Sequence, residues 1–307
     1  RDLHVRSRRQ RQMCIRDRDE AARWFKKLNH SGILVCFDGD CRCSDTYLAA
    51  IYSAYKNHNL NAGILAYEHP LDLESGIIPY ELGLRYYTDG LRYSGYPSVH
   101  QTLGSCITIN SDHYCKHGGM NTKKAGEDFY FLNKIVRKPG FAEINEALVY
   151  PAARISDRVP FGTGRALISY QVDKENILTN YNPLIFEDIK IFMTRLPEII
   201  QGQSPNLPAA IQKFLNAVDF YQKLDKLLKN SRDLTSFYKQ FYDWFDYFMI
   251  LKMIHFSRDL VHTNLPLEAG LSHLNENYWK IAPFNTLTLQ DQLIKIRALN
   301  RLGKTSL

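Results

Sequence analysis

The stretch that most constrains this chain is Gly32-Ile-Leu-Val-Cys-Phe-Asp-Gly-Asp40. A short apolar run stops abruptly in two carboxylates with a glycine between them. Such a run reads as a strand buried on both faces, the kind found inside a parallel sheet. Side chains alternate along an extended segment, so Asp38 and Asp40 are expected on one side. Gly39 has no Cβ and lets backbone, ligand or metal come close. Open α/β sheets bind ligands beyond the carboxyl ends of their strands, where this pair falls. Neighbouring carboxylates repel each other unless a cation or proton joins them. Mg2+ or Mn2+, hard ions with oxygen ligands, would answer that need. An acidic turn without a ligand is the alternative.

The residues around this run alternate between helical and extended patterns. Helical spacing is read at 20–28, at 44–55 with Ser44 as N-cap, at 78–93 and at 127–136. Strands are read at 61–67, 105–109 and 142–150, and Gly118-Gly119 breaks the turn between two elements. After about Asn182 the pattern becomes helical. Phe214, Val218, Tyr221, Leu224 and Leu228 form one stripe, and 234–255 reads as a single long aromatic helix. A last helix at 289–302 ends at Gly303, a good C-cap. The expectation is an α/β domain over 19–182 followed by a helical region over 183–307.

Residues 1–18 are set aside. Arg8 to Arg18 resembles a translated sequencing-library adapter read in one frame, so the segment is taken as a scar without structure. A natural basic arm is the alternative. Without these residues the formal charge falls from +7 to +2, and no electrostatic case for nucleic acid remains. The five cysteines beyond the segment are odd in number and lack a CxxC spacing, which argues against a disulfide framework or zinc ribbon. Cys41 and Cys43 could join a metal site, but they read more readily as small, partly buried thiols. The setting implied is reducing and cytoplasmic. No apolar run approaches the ~18 residues of a spanning helix.

Three further pieces follow in order: Leu103-Gly104-Ser105-Cys106; Gly118-Gly119-Met120-Asn121 with Gly126-Glu127-Asp128; and Arg154-Ile-Ser-Asp-Arg158-Val-Pro-Phe-Gly162-Thr-Gly164. Each alone has a plain structural reading, such as Glu127 and Asp128 complementing a helix dipole. Together they supply a carboxylate pair for a metal, a further carboxylate for a base, and Arg groups suited to phosphate oxygens. The set resembles family 2 glycosyltransferases of the GT-A fold, and Ser156-Asp157-Arg158-Val-Pro-Phe-Gly-Thr-Gly is similar to a bacterial, Bacteroidetes-type subgroup. The resemblance covers roughly residues 19–170.

That resemblance implies a nucleotide-diphosphate sugar as donor and a glycan or lipid-linked hydroxyl as acceptor, in cell-surface polysaccharide or glycolipid synthesis. Asp40 would bind Mg2+ or Mn2+, and Asp38 would share the metal or face the ribose. Asp128 would be the general base of an inverting transfer, with Glu127 orienting the acceptor. Gly104 and Ser105 would line the sugar pocket, and Arg154 and Arg158 would hold the leaving diphosphate. A cytoplasmic location at the inner face of a membrane would follow.

Family members carry base-binding strands before the Asp-x-Asp, and no such segment precedes residue 20 here. The expectation is therefore a chain truncated at its N-terminus, with an unpaired sheet edge, poor binding of nucleotide sugar and little activity. Two other readings stand beside this one. A haloacid-dehalogenase-type phosphatase would use Asp38 as nucleophile, although Cys41 and the Gly-Glu-Asp piece do not suit it. A non-catalytic interaction protein would use the helical region.

Overall fold

The computed structural model describes residues 2–74, 76–121, 126–156, 162–173 and 178–303, with backbone alone for 2–14. Arg158 lies outside the described residues. The chain divides into two compact units: 1–85, 100–177 and 286–307 in the first, 86–99 and 178–285 in the second. The helical region is thus not one block in space, since its last helix belongs to the unit that holds the sheet. Residues 86–99, in turn, belong with the helices.

The first unit is mixed α/β. Its elements are α1 (Asp2–Lys27), β1 (Ile33–Val35), β2 (Arg42–Cys43), α2 (Tyr47–His58), β3 (Ala62–Tyr67), the start of α3 (Ile77–Tyr93), β4 (Ile107–Asn110), α4 (Ser111–Lys116), α5 (Glu127–Ile135), β5 (Phe141–Tyr150) and α6 (Thr163–Val172). The five strands run in the order β1-β4-β3-β5-β2. β3 pairs parallel with β5, whereas β1–β4, β3–β4 and β2–β5 are antiparallel. β3 is the central strand, and its near-continuous burial follows from having neighbours on both sides. Leu34, Cys36, Ile64, Cys106, Ile107, Phe131, Ile144 and Val149 meet in the core.

Three sequence expectations need correction. The run at Gly32 is not a central strand of a parallel sheet. β1 has three residues, lies at the sheet edge and runs antiparallel to β4. Its burial alternates, Leu34 and Cys36 inside with Ile33 and Val35 half-buried, and a run this short does not distinguish an edge strand from a central one. Ser44 does not cap α2. Its amide donates to Leu148 O at 3.0 Å and its hydroxyl accepts from Leu148 N at 3.3 Å, which ties β2 to β5. Residues 2–18 are not without structure, because α1 is continuous from Asp2 to Lys27.

The second unit holds the end of α3, β6 (Thr179–Asn180), α7 (Leu184–Ile200), α8 (Ala209–Ala217), α9 (Phe220–Asn230), α10 (Leu234–Trp244), α11 (Tyr247–Leu260), β7 (Leu265–Pro266) and α12 (Leu267–Leu274). α13 (Leu289–Arg301) returns to the first unit. The stripe from Phe214 to Leu228 is broken at Asp219, whose φ of 50° is left-handed. The restart changes the phase, so Phe220, Leu224 and Leu227 are buried and Tyr221 is exposed. The long aromatic helix is likewise two helices. Asp246 accepts from Phe248 N and Met249 N, both at 3.0 Å, and opens α11. Phe192, Phe220, Phe241 and Phe245 form the aromatic centre of this unit. Among the described residues no helix is long and apolar enough to cross a membrane.

Candidate functional site

Beyond β1 the chain leaves the sheet and turns. Cys41 N donates to Asp38 O at 3.0 Å, closing a turn over Gly39 and Asp40. This turn, rather than strand alternation, brings the carboxylates together. One ligand atom from each of Asp38, Asp40 and Cys41 lies within 4.8 Å of the others. Both aspartates are exposed and Cys41 is half-buried. The three donors could hold a divalent cation, with the Cys41 thiol, the lesser of its two readings in the sequence, as one of them.

Arg154 reaches this turn from the segment after β5. Its Nη2 lies 2.5 Å from Asp40 Oδ2, with both side chains partly exposed. The expected carboxylate and the expected arginine are therefore in contact.

Gly104 and Ser105 sit on the turn of 3-10 helix Gly104–Cys106 that enters β4. Ser105 is buried and hydrogen-bonds the Cys41 thiol. Burial raises the Cys41 pKa, the Ser105 bond opposes that, and the charges of Asp38 and Asp40 add to the rise. On the other side, a Cβ built on Gly104 would stand 2.7 Å from Asp128 Oδ2. Only glycine leaves the Asp128 carboxylate its position without a shift.

Asp128 opens α5 beside Glu127, after Gly126 in a left-handed conformation. Its Oδ1 accepts from Phe129 N at 2.8 Å. Burial pushes the Asp128 pKa up and the Glu127 charge adds to this, against the Phe129 N–H and the Arg18 charge. Asp38 and Asp128 both act on the buried Cys36 thiol, whose pKa is raised first by burial. The metal-type cluster and the second carboxylate thus border the same Gly104–Ser105 turn.

Two groups of the first unit are not read from the sequence. Arg18, within the segment set aside, hydrogen-bonds Cys36 and points Nη1 at Met120 Sδ, 3.4 Å away. Its neighbour Asp19 accepts from Tyr114 OH at 2.8 Å, and Tyr114 OH in turn accepts from Met120 N. The Gly-Gly-Met-Asn piece is therefore packed against the end of that segment. The second group is a buried ion network around Glu81, formed with His69, Arg85 and Arg297. Only the Glu81–Arg85 pair, four residues apart on α3, has a local pattern; Arg297 lies 216 positions from Glu81.

No known protein family, curated protein or solved structure matches the chain.

Proposed function

We propose that this chain carries the catalytic site of a metal-dependent glycosyltransferase that moves a sugar from a nucleotide-diphosphate donor to a hydroxyl acceptor with inversion. The observation that carries this reading is the common border just described. A three-donor cluster and a half-buried carboxylate of raised pKa flank one small-residue turn, with an arginine on the cluster.

Sugar transfer develops positive charge at the anomeric carbon and negative charge on the departing diphosphate. Asp38, Asp40 and Cys41 would hold Mg2+ or Mn2+, which neutralises diphosphate charge when bound. The thiol favours Mn2+, the softer of the two. Arg154 adds a fixed guanidinium suited to phosphate oxygens. Asp128 accepts the proton of the acceptor hydroxyl, and its raised pKa makes it a stronger base than an ordinary carboxylate. Gly104 leaves that carboxylate unobstructed, and Glu127 orients the acceptor. One base facing the leaving group gives inversion in a single displacement. A cell-envelope glycan or glycolipid product and peripheral membrane association belong to the same reading.

The test that does not depend on a nucleotide-base pocket is titration with Mn2+ and pyrophosphate together. Wild type binds the pair and Asp40→Ala does not. Equal binding by both proteins would sink the reading.

A further inference from the structure

We propose that His69 is a positioning residue for the arm that carries Arg154, held in place by Arg297 of the C-terminal helix. The proposal rests on the diphosphate reading of Asp40 and Arg154.

His69 lies two residues beyond β3 and is 1 % exposed. It is gripped at three points. Its amide and its Nδ1 each lie 2.9 Å from Glu81 Oε2, and its carbonyl accepts from Arg297 Nη2 at 2.8 Å. Glu81 is itself fixed, because Arg85 Nε and Arg297 Nε donate to Oε1 at 2.8 Å and Arg297 Nη2 donates to Oε2 at 2.6 Å. Burial would raise the Glu81 pKa, but the Arg85 charge and the His69 and Arg297 bonds outweigh it and hold the carboxyl well below the usual range. An ionised Glu81 fixes the hydrogen on Nδ1 and aims Nε2 outward from the network.

Nε2 faces the Thr163 hydroxyl at 3.4 Å, and Tyr80 hydrogen-bonds the same threonine. Thr163 is the first residue of α6, and Gly164 follows it. A Cβ on Gly164 would fall 2.7 Å from Ser156 Cβ and 2.8 Å from its carbonyl oxygen, so these two points of the chain are in direct contact. Ser156 is two residues from Arg154. The order of contact is therefore Arg297, Glu81, His69, Thr163, Gly164, Ser156 and then Arg154 on Asp40. A buried, ion-paired base orients one ring nitrogen, and that nitrogen anchors the arm.

Thr163→Val removes the hydroxyl and leaves the Glu81 network whole. His69→Asn retains a donor for Glu81 but cannot reach Thr163. Both variants are expected to speed exchange of the Ala166 amide, which donates to Gly162 O across the start of α6, about tenfold, the worth of one hydrogen bond, with β3 and β5 unchanged. Both should weaken binding of Mn2+ with pyrophosphate severalfold, and Thr163→Ser should restore both readouts. Unchanged exchange overturns the proposal whatever the protein binds. Faster exchange with undiminished affinity also overturns it, because the arm would then loosen without consequence for the ligand. Wild-type protein that binds no Mn2+–pyrophosphate defeats the diphosphate reading and the ligand half of this proposal together. The exchange result tells the two failures apart.

Discussion

Arg154 Nη2 rests 2.5 Å from Asp40 Oδ2, so a guanidinium stands on the carboxylate proposed to take a divalent ion. Both groups are partly exposed, and an exposed pair is worth about 0–1 kcal/mol. Arg154→Ala should therefore leave the urea midpoint nearly unchanged. Its effect on ligands should split in sign. Bare Mn2+ binds more tightly because a competing cation is gone, whereas Mn2+ with pyrophosphate binds less tightly because a phosphate partner is gone. Isothermal titration with each probe reads the split, and two affinities moving in the same direction would refute it.

Asp128 gives a pH signature. Its folded pKa is raised, chiefly by burial, so the folded protein holds this proton more tightly than the unfolded chain does. That contribution to stability is complete below the ordinary carboxylate value and is lost as pH rises through the folded value. Asp128→Asn removes the cost of burying the charge. It should raise the melting temperature at pH 8 and leave it almost unchanged near pH 3.5, where wild type is already neutral at this position. Under the glycosyltransferase reading, the same substitution should reduce sugar transfer about 10²–10⁴-fold, the usual worth of a general base. A variant that is less stable at pH 8 than wild type would contradict the sign.

Glu81 carries the opposite sign. Its pKa is held low because Arg85 and Arg297 outweigh the burial that would raise it. Its stabilising contribution is present above the ordinary value and is lost as pH falls towards the folded one. Glu81→Gln removes the anion nearest to two buried guanidiniums, with Glu68 remaining 3.7 Å from Arg297, at a cost of about 3–5 kcal/mol near pH 7. Below the reference value of 4.5 the gap to wild type should narrow, by about 1.4 kcal/mol per pH unit. Urea midpoints at pH 7, 4.5 and 3.5 measure it, and a gap independent of pH would exclude the ion network as its source.

These elements differ in how much of them the sequence reveals, for physical reasons. β3, β5, α3 and α5 were legible because each carries enough apolar residues for its period to be read. The edge position of β1 was not, because three or four apolar residues fit either kind of strand. Asp38, Asp40, Gly104, Ser105, Asp128, Arg154 and Arg158 read as one group in the sequence; the structure puts Arg154 on Asp40 and Asp128 against Gly104, and Arg158 lies outside the described residues. The way the two aspartates meet was misjudged, because a turn and an extended segment can both bring i and i+2 together. The pairing of Glu81 with Arg297 leaves no local mark at all, since the two residues lie 216 positions apart and meet only through their side chains in the folded unit.

The break between α10 and α11 shows the same limit and can be tested. Aromatic periodicity runs straight through Phe245 and Asp246, which hid the boundary. Asp246 caps two amides at 3.0 Å, and such caps are worth about 0.5–2 kcal/mol. Asp246→Ala should lose that amount, and Asp246→Asn should recover most of it. If the residues instead formed one continuous helix, alanine, the better helix former, would stabilise it.

Two glycines separate the proposed metal binding from the proposed proton transfer. A Cβ on Gly39 would meet nothing within 4 Å, and its backbone is not left-handed. The fold alone therefore gives Gly39→Ala little to disturb, and its stability should change by less than about 1 kcal/mol. If a metal–diphosphate approaches over this turn, the added methyl obstructs it, and affinity for Mn2+ with pyrophosphate should fall about tenfold or more. Gly104→Ala is the converse. Its methyl would press on Asp128 Oδ2 at 2.7 Å, and that carboxylate is the end of a side chain that can rotate away. Pyrophosphate binding should survive, while the Asp128 carboxyl, pushed towards water, should titrate closer to an ordinary aspartate. A carbon-detected pH titration of Asp128 in both variants tests this. Should Gly39→Ala bind the probe as wild type does while Gly104→Ala leaves Asp128 raised, neither glycine is reserved for a ligand or a base.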